Sequence, residues 1–466
     1  MRIANIDPRR VPLAGWSAEQ GCSTGFDVSE RALDSALPKL RAERPVPPDK
    51  TLQREPPPRR NPDDPAIGKW AVVVRQGDEA LAAQHLAALL RHRASQKVAC
   101  SPSGDKPPGL VVVRGAPAAE PDLWSAQIAA AAREKPRYLL LVGGPDRFPF
   151  EVQLHLDRAH RTGRLDLGAT PGALDWPAAE RWAERVVALE TGSLALPNRA
   201  IVFAPASDEA TALSLEGLGI PARDALADAS RWPAGAPETI ALLDSEARRE
   251  SLEEACRDAR PRLVLTATHG HEFPADPSLW GALTDAAFRP GAAGAKPFSA
   301  ASLPPAETPF AEGAVLLAFA CHSAGVPAKN PYRHFVDTVP AAYPNGPFVS
   351  PLPRALLAHP RGPIAFAGHV GAATALSFYE DDVPNPSAFL DFLDWALPAE
   401  GPLGRAMSTF TDQSLRASDR IANLLDPARR TPPDPQTLLR AWIAHHDRRG
   451  YILLGDPATI PRWTPP

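Results

Sequence analysis

The chain has 466 residues, of which 44% are apolar and 22% charged, and its formal net charge is −4. That length supplies a core large enough for two or three domains, and so even a balance excludes nucleic acid or an anionic membrane as a partner held by bulk charge. The N-terminus has no apolar signal-type run and no stretch of about 18 apolar residues occurs, so a cytoplasmic protein without membrane contact is expected.

Residues 1–66 contain RPVPPDK and REPPPRRNPDDP, too rich in proline and charge for a helix or a central strand. They read as an extension, within which VSERALDSALPKL suits a short helix that packs on the body or covers a site. From Lys69 the pattern changes: KWAVVV, LVVVRG and RYLLLVGG read as strands, alternating with the helices ALAAQHLAALLRHRA and WSAQIAAAAREK. That alternation predicts a parallel sheet with both faces covered. EVQLHLDRAHRTGRLDLGATPG reads as a link and WPAAERWAERVVALE as a helix.

A second α/β unit follows, with strands RAIVFAP, TIALLD, RLVLTAT, AVLLAFA and PIAFAG and helices such as SLEEACRDA. Helical stretches around PSAFLDFLDWAL, LGRAMSTFTDQSLRASDRIANLL and PQTLLRAWIAHHD precede a last strand, YILLGDP. The predicted organisation is an N-terminal extension (1–66), a first α/β subdomain (67–196) and a second, site-bearing α/β subdomain with C-terminal helices (197–466).

Two strands of the second unit end alike. RLVLTAT runs into His269-Gly270-His271, and AVLLAFA runs into Cys321-His322-Ser323-Ala324-Gly325. Ligands bind outside the carboxyl ends of such strands in an open α/β sheet. The 52 residues between His269 and Cys321 suffice for a loop and a return crossover between neighbouring parallel strands. Histidine and cysteine at adjacent tips are the components of a thiol–imidazole dyad. Cys22, Cys100, Cys256 and Cys321 show no disulfide or zinc-knuckle spacing, so reduced thiols are expected.

THGHEF and FACHSAG, at this spacing, resemble the caspase-like cysteine peptidases, and within them the gingipain-type and CHAT-type branch. YLLLVGGPDRFPFE and YILLGDPATIPR are similar to the ends of such domains, and the likeness spans about residues 69–460. Ala320-Cys321 matches the caspase signature Q-A-C-x-G, whereas Phe319 and Ser323 replace its glutamine and glycine, which points away from a strict caspase. The resemblance implies a three-layer α/β/α fold and an endopeptidase without a cofactor. In it Cys321 attacks a peptide carbonyl, His269 is its acid–base partner, and the N–H groups of Gly270 and Cys321 hold the oxyanion. It further implies a substrate pocket with Asp208 selecting Arg or Lys and a second wall at Gly368 and His369. A protein substrate, a regulatory partner and a role in bacterial antiviral defence or cell death are expected in the same way.

Other readings stay open. Asp208 is equally suited to cap the helix after it. Cys321 alone reads as a core cysteine. Ser323 stands in C-x-S-x-G, one substitution from a nucleophile elbow, with His369 or His445 as its base. His269, His271, Cys321 and His322 offer mixed ligands suited to zinc. Glu380-Asp381-Asp382 offers oxygens suited to calcium, or is a solvated acidic loop. His445-His446 reads as a surface pair. Gly291 to Lys296 lacks phosphate-loop spacing. Arg59 and Arg60 form a candidate self-cleavage site in the extension. A protease-like module with an unused dyad is the alternative to an enzyme.

Overall fold

The computed structural model describes residues 10–17, 22–42, 68–102, 104–114, 121–132, 134–168, 170, 172–274, 276–284, 297–304, 307–335, 341–398, 401–428 and 431–462. Arg59, Arg60 and the Gly291 to Lys296 segment lie outside these residues.

In chain order the strands are Arg10–Ser17 (β1), Cys22–Asp27 (β2), Trp70–Arg75 (β3), Leu110–Val113 (β4), Tyr138–Val142 (β5), Arg161–Leu165 (β6), Arg199–Ala204 (β7), Glu238–Leu243 (β8), Leu263–Ala267 (β9), His269–His271 (β10), Leu283–Thr284 (β11), Val315–Phe319 (β12), Gly325–Val326 (β13), Phe348–Val349 (β14), Ala365–His369 (β15), Tyr379–Glu380 (β16), Val383–Pro384 (β17) and Tyr451–Leu454 (β18). Ten of them form one sheet in the order β4-β3-β5-β6-β18-β15-β12-β9-β7-β8. The chain is therefore an α/β protein built around a ten-stranded, mostly parallel central sheet.

Its two halves run in opposite directions. β18 is parallel to β6 and antiparallel to β15, and every other adjacent pair is parallel. Alternate residues of β3 enter different cores: Trp70, Val72 and Val74 pack in one, Ala71 and Val73 in the other. Burial on both faces explains why these strands read as unbroken apolar runs.

β6 lies in what reads as a link. Its sequence, RTGRL, is polar, yet it is central, because Arg164 is buried and donates to Gln153 Oε1 (2.9 Å) and the Gly143 carbonyl (2.9 Å). Gly163 is required: a Cβ there would sit 2.0 Å from the Gly455 carbonyl oxygen. The halves are also joined by a buried ion cluster. Arg93 bridges Glu190 (2.6 Å) and Asp456 (2.6 Å), and Asp456 takes a further bond from Trp70 Nε1 (2.9 Å).

The helix expected in the extension is Glu30–Ala42, and Val28, Ala32, Ala36 and Leu40 on it and just before it join the main core. The β1–β2 hairpin before it has no counterpart in the sequence reading. β1 lies parallel to β10, with Gly15 opposite Gly270 and Trp16 opposite His271, in a small sheet of order β11-β10-β1-β2. No helix among the described residues is long and apolar enough to cross a membrane.

Candidate active site

β9 and β12 are parallel neighbours with Ala267 opposite Phe319. His269 and Cys321 each stand two residues beyond that pair, at the same height past two adjacent strand ends. The tips touch through backbone: a Cβ on Gly270 would lie 1.9 Å from the Cys321 carbonyl oxygen, so only glycine allows this approach. Behind Cys321 the chain turns through His322, whose φ is +55°.

His269 is held from the next strand over. Its Nε2 lies 2.6 Å from Asp208 Oδ2, while Asp208 Oδ1 accepts from the Thr211 N–H at 2.9 Å. Asp208 is thus the N-cap of the helix Glu209–Ser214, in a reciprocal capping box. Burial pushes its carboxyl up, but the bonds from His269 and Thr211 outweigh burial and hold it at about 2. The carboxylate expected to select basic side chains is committed to the histidine and to the cap.

Cys321 is fully buried. The Ala373 N–H donates to its Sγ (3.1 Å) and the thiol faces the Ala373 carbonyl (3.5 Å), so both hydrogen bonds run to the loop after β15, on the side of β12 away from β9. Burial first, and then the Glu272 carboxylate beside it, push the thiol well up from its ordinary range. That loop is strapped down by Asp447, which accepts from Thr374 N (2.8 Å) and Oγ1 (2.7 Å). Burial raises Asp447 to about 7.

Glu272 follows β10 directly and is buried; its Oε1 accepts from His322 Nε2 at 2.9 Å. The His322 ring is wedged edge-on between Trp280 (centroids 4.9 Å apart) and Tyr343 (5.0 Å). Neither Glu272 nor Asp447 was a sequence candidate. The signal available for Glu272 was its position immediately after the His-Gly-His strand; for Asp447 there was none.

Gly368 and His369 lie within β15 rather than on an open wall. A Cβ on Gly368 would meet Ser323 Oγ at 2.8 Å. His369 is buried against Tyr451, with its ring nitrogens facing the carbonyls of Gly371 (2.9 Å) and Asp447 (2.8 Å), and burial lowers its pKa to about 4. The Ser323 hydroxyl accepts from the His369 backbone N–H (2.9 Å) and donates to the Ala318 carbonyl (3.4 Å), pinning β12 to β15. Neither His369 nor His445 offers it a ring nitrogen, since His445 Nδ1 faces Ser418 Oγ at 3.2 Å.

His445 corrects the surface reading of its pair. It is buried, and burial lowers its pKa to about 3, because the helix Pro435–Arg449 packs against Ser408–Leu424 along that side. His271 is likewise buried and lowered to about 4. Among the described residues no three His, Cys, Asp or Glu side chains converge as a metal site. In the acidic loop, Glu380 faces Arg448 (3.5 Å) and Asp382 pairs with Arg440 (2.6 Å). A cavity of about 340 Å³, lined among others by Arg257, Arg260 and Arg361, lies at the opposite, amino-terminal ends of β9, β12 and β15.

No family model matches the chain, and no curated protein matches it either. Two solved structures are similar in part. One, described as "Structure of Protease", is 12% identical with a TM-score of 0.47, over 84% of this chain and 78% of that one. The other, the Saccharomyces cerevisiae separase–securin complex, is 9% identical with a TM-score of 0.35, over 72% of this chain and 17% of that one. Likeness at this level bears on neither activity nor substrate.

Proposed function

We propose that the chain is a cysteine endopeptidase, with Cys321 as nucleophile, His269 as its acid–base partner and Asp208 orienting that histidine. The observation that supports this best is the register that sets His269 and Cys321 side by side at adjacent strand ends, with His269 tied to a carboxylate at 2.6 Å. Asp208 accepts a hydrogen bond from the Nε2–H, which leaves Nδ1 as the basic nitrogen. In the reaction the thiol proton passes to His269 Nδ1 and the sulfur attacks the peptide carbonyl carbon. The oxyanion is received by the N–H groups of Gly270 and Cys321, and His269 then protonates the departing amine. Water hydrolyses the thioester, returning the thiol. The substrate is a protein; with Asp208 serving the histidine, a preference for Arg or Lys requires another acidic group.

The arrangement described is a resting one, since the thiol bonds to Ala373 and is fully buried. The same burial favours a second reading, a protease-like regulatory module whose dyad is never engaged. Cleavage of a mixed fluorogenic peptide library by folded wild type, Cys321→Ala and Ser323→Ala separates the two. Loss of turnover in Cys321→Ala with retention in Ser323→Ala is expected. Wild-type protein inert towards peptides and towards an active-site thiol label selects the module.

A further inference from the structure

The strand that carries His269 and Gly270 has a different partner on each edge. On one side lies β11: the His271 N–H donates to the Ala282 carbonyl at 3.0 Å, and the His271 carbonyl accepts from the Gly281 N–H at 3.0 Å. Peptide groups of successive residues in a strand face opposite edges, so the N–H and carbonyl of Gly270 face away from β11, towards β1. There β1 runs parallel to β10, with Gly15 opposite Gly270 and Trp16 opposite His271. In a parallel ladder a residue donates to the carbonyl one place before its opposite number and accepts from the N–H one place after it. This register therefore matches the Gly270 N–H with the Ala14 carbonyl, and the Gly270 carbonyl with the Trp16 N–H. The first of these donors is the one assigned above to the oxyanion, and a backbone carbonyl is the group it would hold in a peptide substrate.

The same strand runs past the other walls of the site. It lies against the helix Glu209–Ser214, capped by Asp208, and against the turn Ala375–Ser377, which continues the loop whose Ala373 bonds the thiol. With β1 in place, His269, Gly270 and Cys321 are all buried. We propose that the β1-facing edge of β10 is where an extended peptide substrate binds, adding a strand parallel to β10, and that β1 is the resting occupant of that edge, a plug supplied by the chain itself. This rests on the peptidase reading above. Main-chain pairing draws its affinity from backbone groups, so it suits a segment and a substrate of unrelated sequence. While Ala14 fills the place at the Gly270 N–H, no substrate carbonyl can be polarised there. Turnover then requires β1 to leave, and its antiparallel pairing with β2, from Arg10 opposite Asp27 to Ser17 opposite Cys22, makes the hairpin the unit that moves.

Trp16→Pro removes the N–H that meets the Gly270 carbonyl, and Trp16→Val, which keeps that N–H, controls for loss of the ring. Hydrogen exchange over residues 269–272, read by mass spectrometry, reports the pairing without any activity. Exchange about tenfold faster in Trp16→Pro than in Trp16→Val is expected, and peptide turnover should rise by the same factor, since both follow the population with the edge free. Equal exchange in the two variants overturns the proposal. Active wild type, with faster exchange but no gain in turnover in Trp16→Pro, removes the plug and keeps the peptidase. If no variant cleaves peptides, faster exchange together with faster iodoacetamide labelling of Cys321 keeps β1 as the cover of the thiol and removes the peptidase reading; without faster labelling both fall. If Trp16→Pro fails to fold, wild type carries the test. A peptidyl acyloxymethyl ketone should then label Cys321 and raise exchange over residues 10–17 in the same molecules, and labelling without that rise, or no labelling, overturns the proposal.

Discussion

Replacing Asp208 probes the cap and the histidine together, and the two can be separated. The carboxyl is held at about 2 against an ordinary 3.8 by its bonds to His269 and Thr211. That corresponds to about 2.5 kcal/mol of stability at neutral pH. An N-cap contributes about 1 kcal/mol, which leaves about 1.5 kcal/mol for the pairing with His269. Asp208→Ala should therefore cost about 2.5 kcal/mol in urea unfolding at pH 7, and Asp208→Asn, which keeps a capping oxygen, about 1.5 kcal/mol. The sign of the pH dependence follows from the depressed folded value. The contribution is complete above the unfolded pKa of about 3.8 and is lost as pH falls towards 2, so wild type and Asp208→Asn should converge in acid. If the peptidase reading holds, Asp208→Asn should also lower kcat by two to four orders of magnitude, since the imidazole loses the partner that fixes its tautomer. An Asp208→Asn protein within about 0.5 kcal/mol of wild type at pH 7, or a gap that persists into acid, refutes the reasoning.

Arg93→Met should leave Glu190 and Asp456 buried without the guanidinium that bridges them, Glu190 keeping His92 (2.6 Å) and the Ile460 N–H and Asp456 keeping Trp70 Nε1 (2.9 Å), and cost about 3 kcal/mol in the same unfolding assay; a loss below about 1 kcal/mol would mean that the cluster is hydrated. Gly270→Ala should force the two strand tips apart, since its Cβ would meet the Cys321 carbonyl at 1.9 Å. A thermal midpoint several degrees lower is expected, and an unchanged midpoint would show that the tips do not touch. Asp447, raised by burial to about 7, has the opposite linkage to Asp208: its unfolded form ionises first, so it removes stability as pH rises from about 4 to about 7. Wild type should lose stability over that range relative to Asp447→Asn, and parallel pH profiles would contradict the assigned burial.

The sequence disclosed most where one physical constraint acted alone. β9 and β12 are buried on both faces and appear as plain apolar runs, and their ends name His269 and Cys321 directly. The register that brings those ends level follows from their being parallel neighbours. β6 was hidden because Arg164 is stabilised by carbonyls that belong to distant residues, so a core strand carries a surface composition. The opposite running of the two sheet halves was equally invisible, since it is decided by a four-residue strand at the far end of the chain. Asp208 illustrates a middle case. Its capping role could be read from the residues after it, while its bond to His269 joins positions 61 residues apart. Glu272 and Asp447 were missed because a buried charge looks like any other charge in sequence; only three-dimensional neighbours reveal it.

β18 has a consequence for how the molecule is made. It is the strand between β6 and β15, and among the described residues it is the last strand to leave the ribosome. Until residue 454 is available, each half of the sheet presents an open inner edge, one at β6 and one at β15. Two such edges of opposite polarity on one nascent chain invite pairing with each other out of register, or with neighbouring chains. Joining them correctly links residues nearly three hundred positions apart, the kind of non-local closure that makes folding slow. The two halves can thus collapse early, but the joined sheet exists only after synthesis has passed β18, and chaperone demand should peak just before that point.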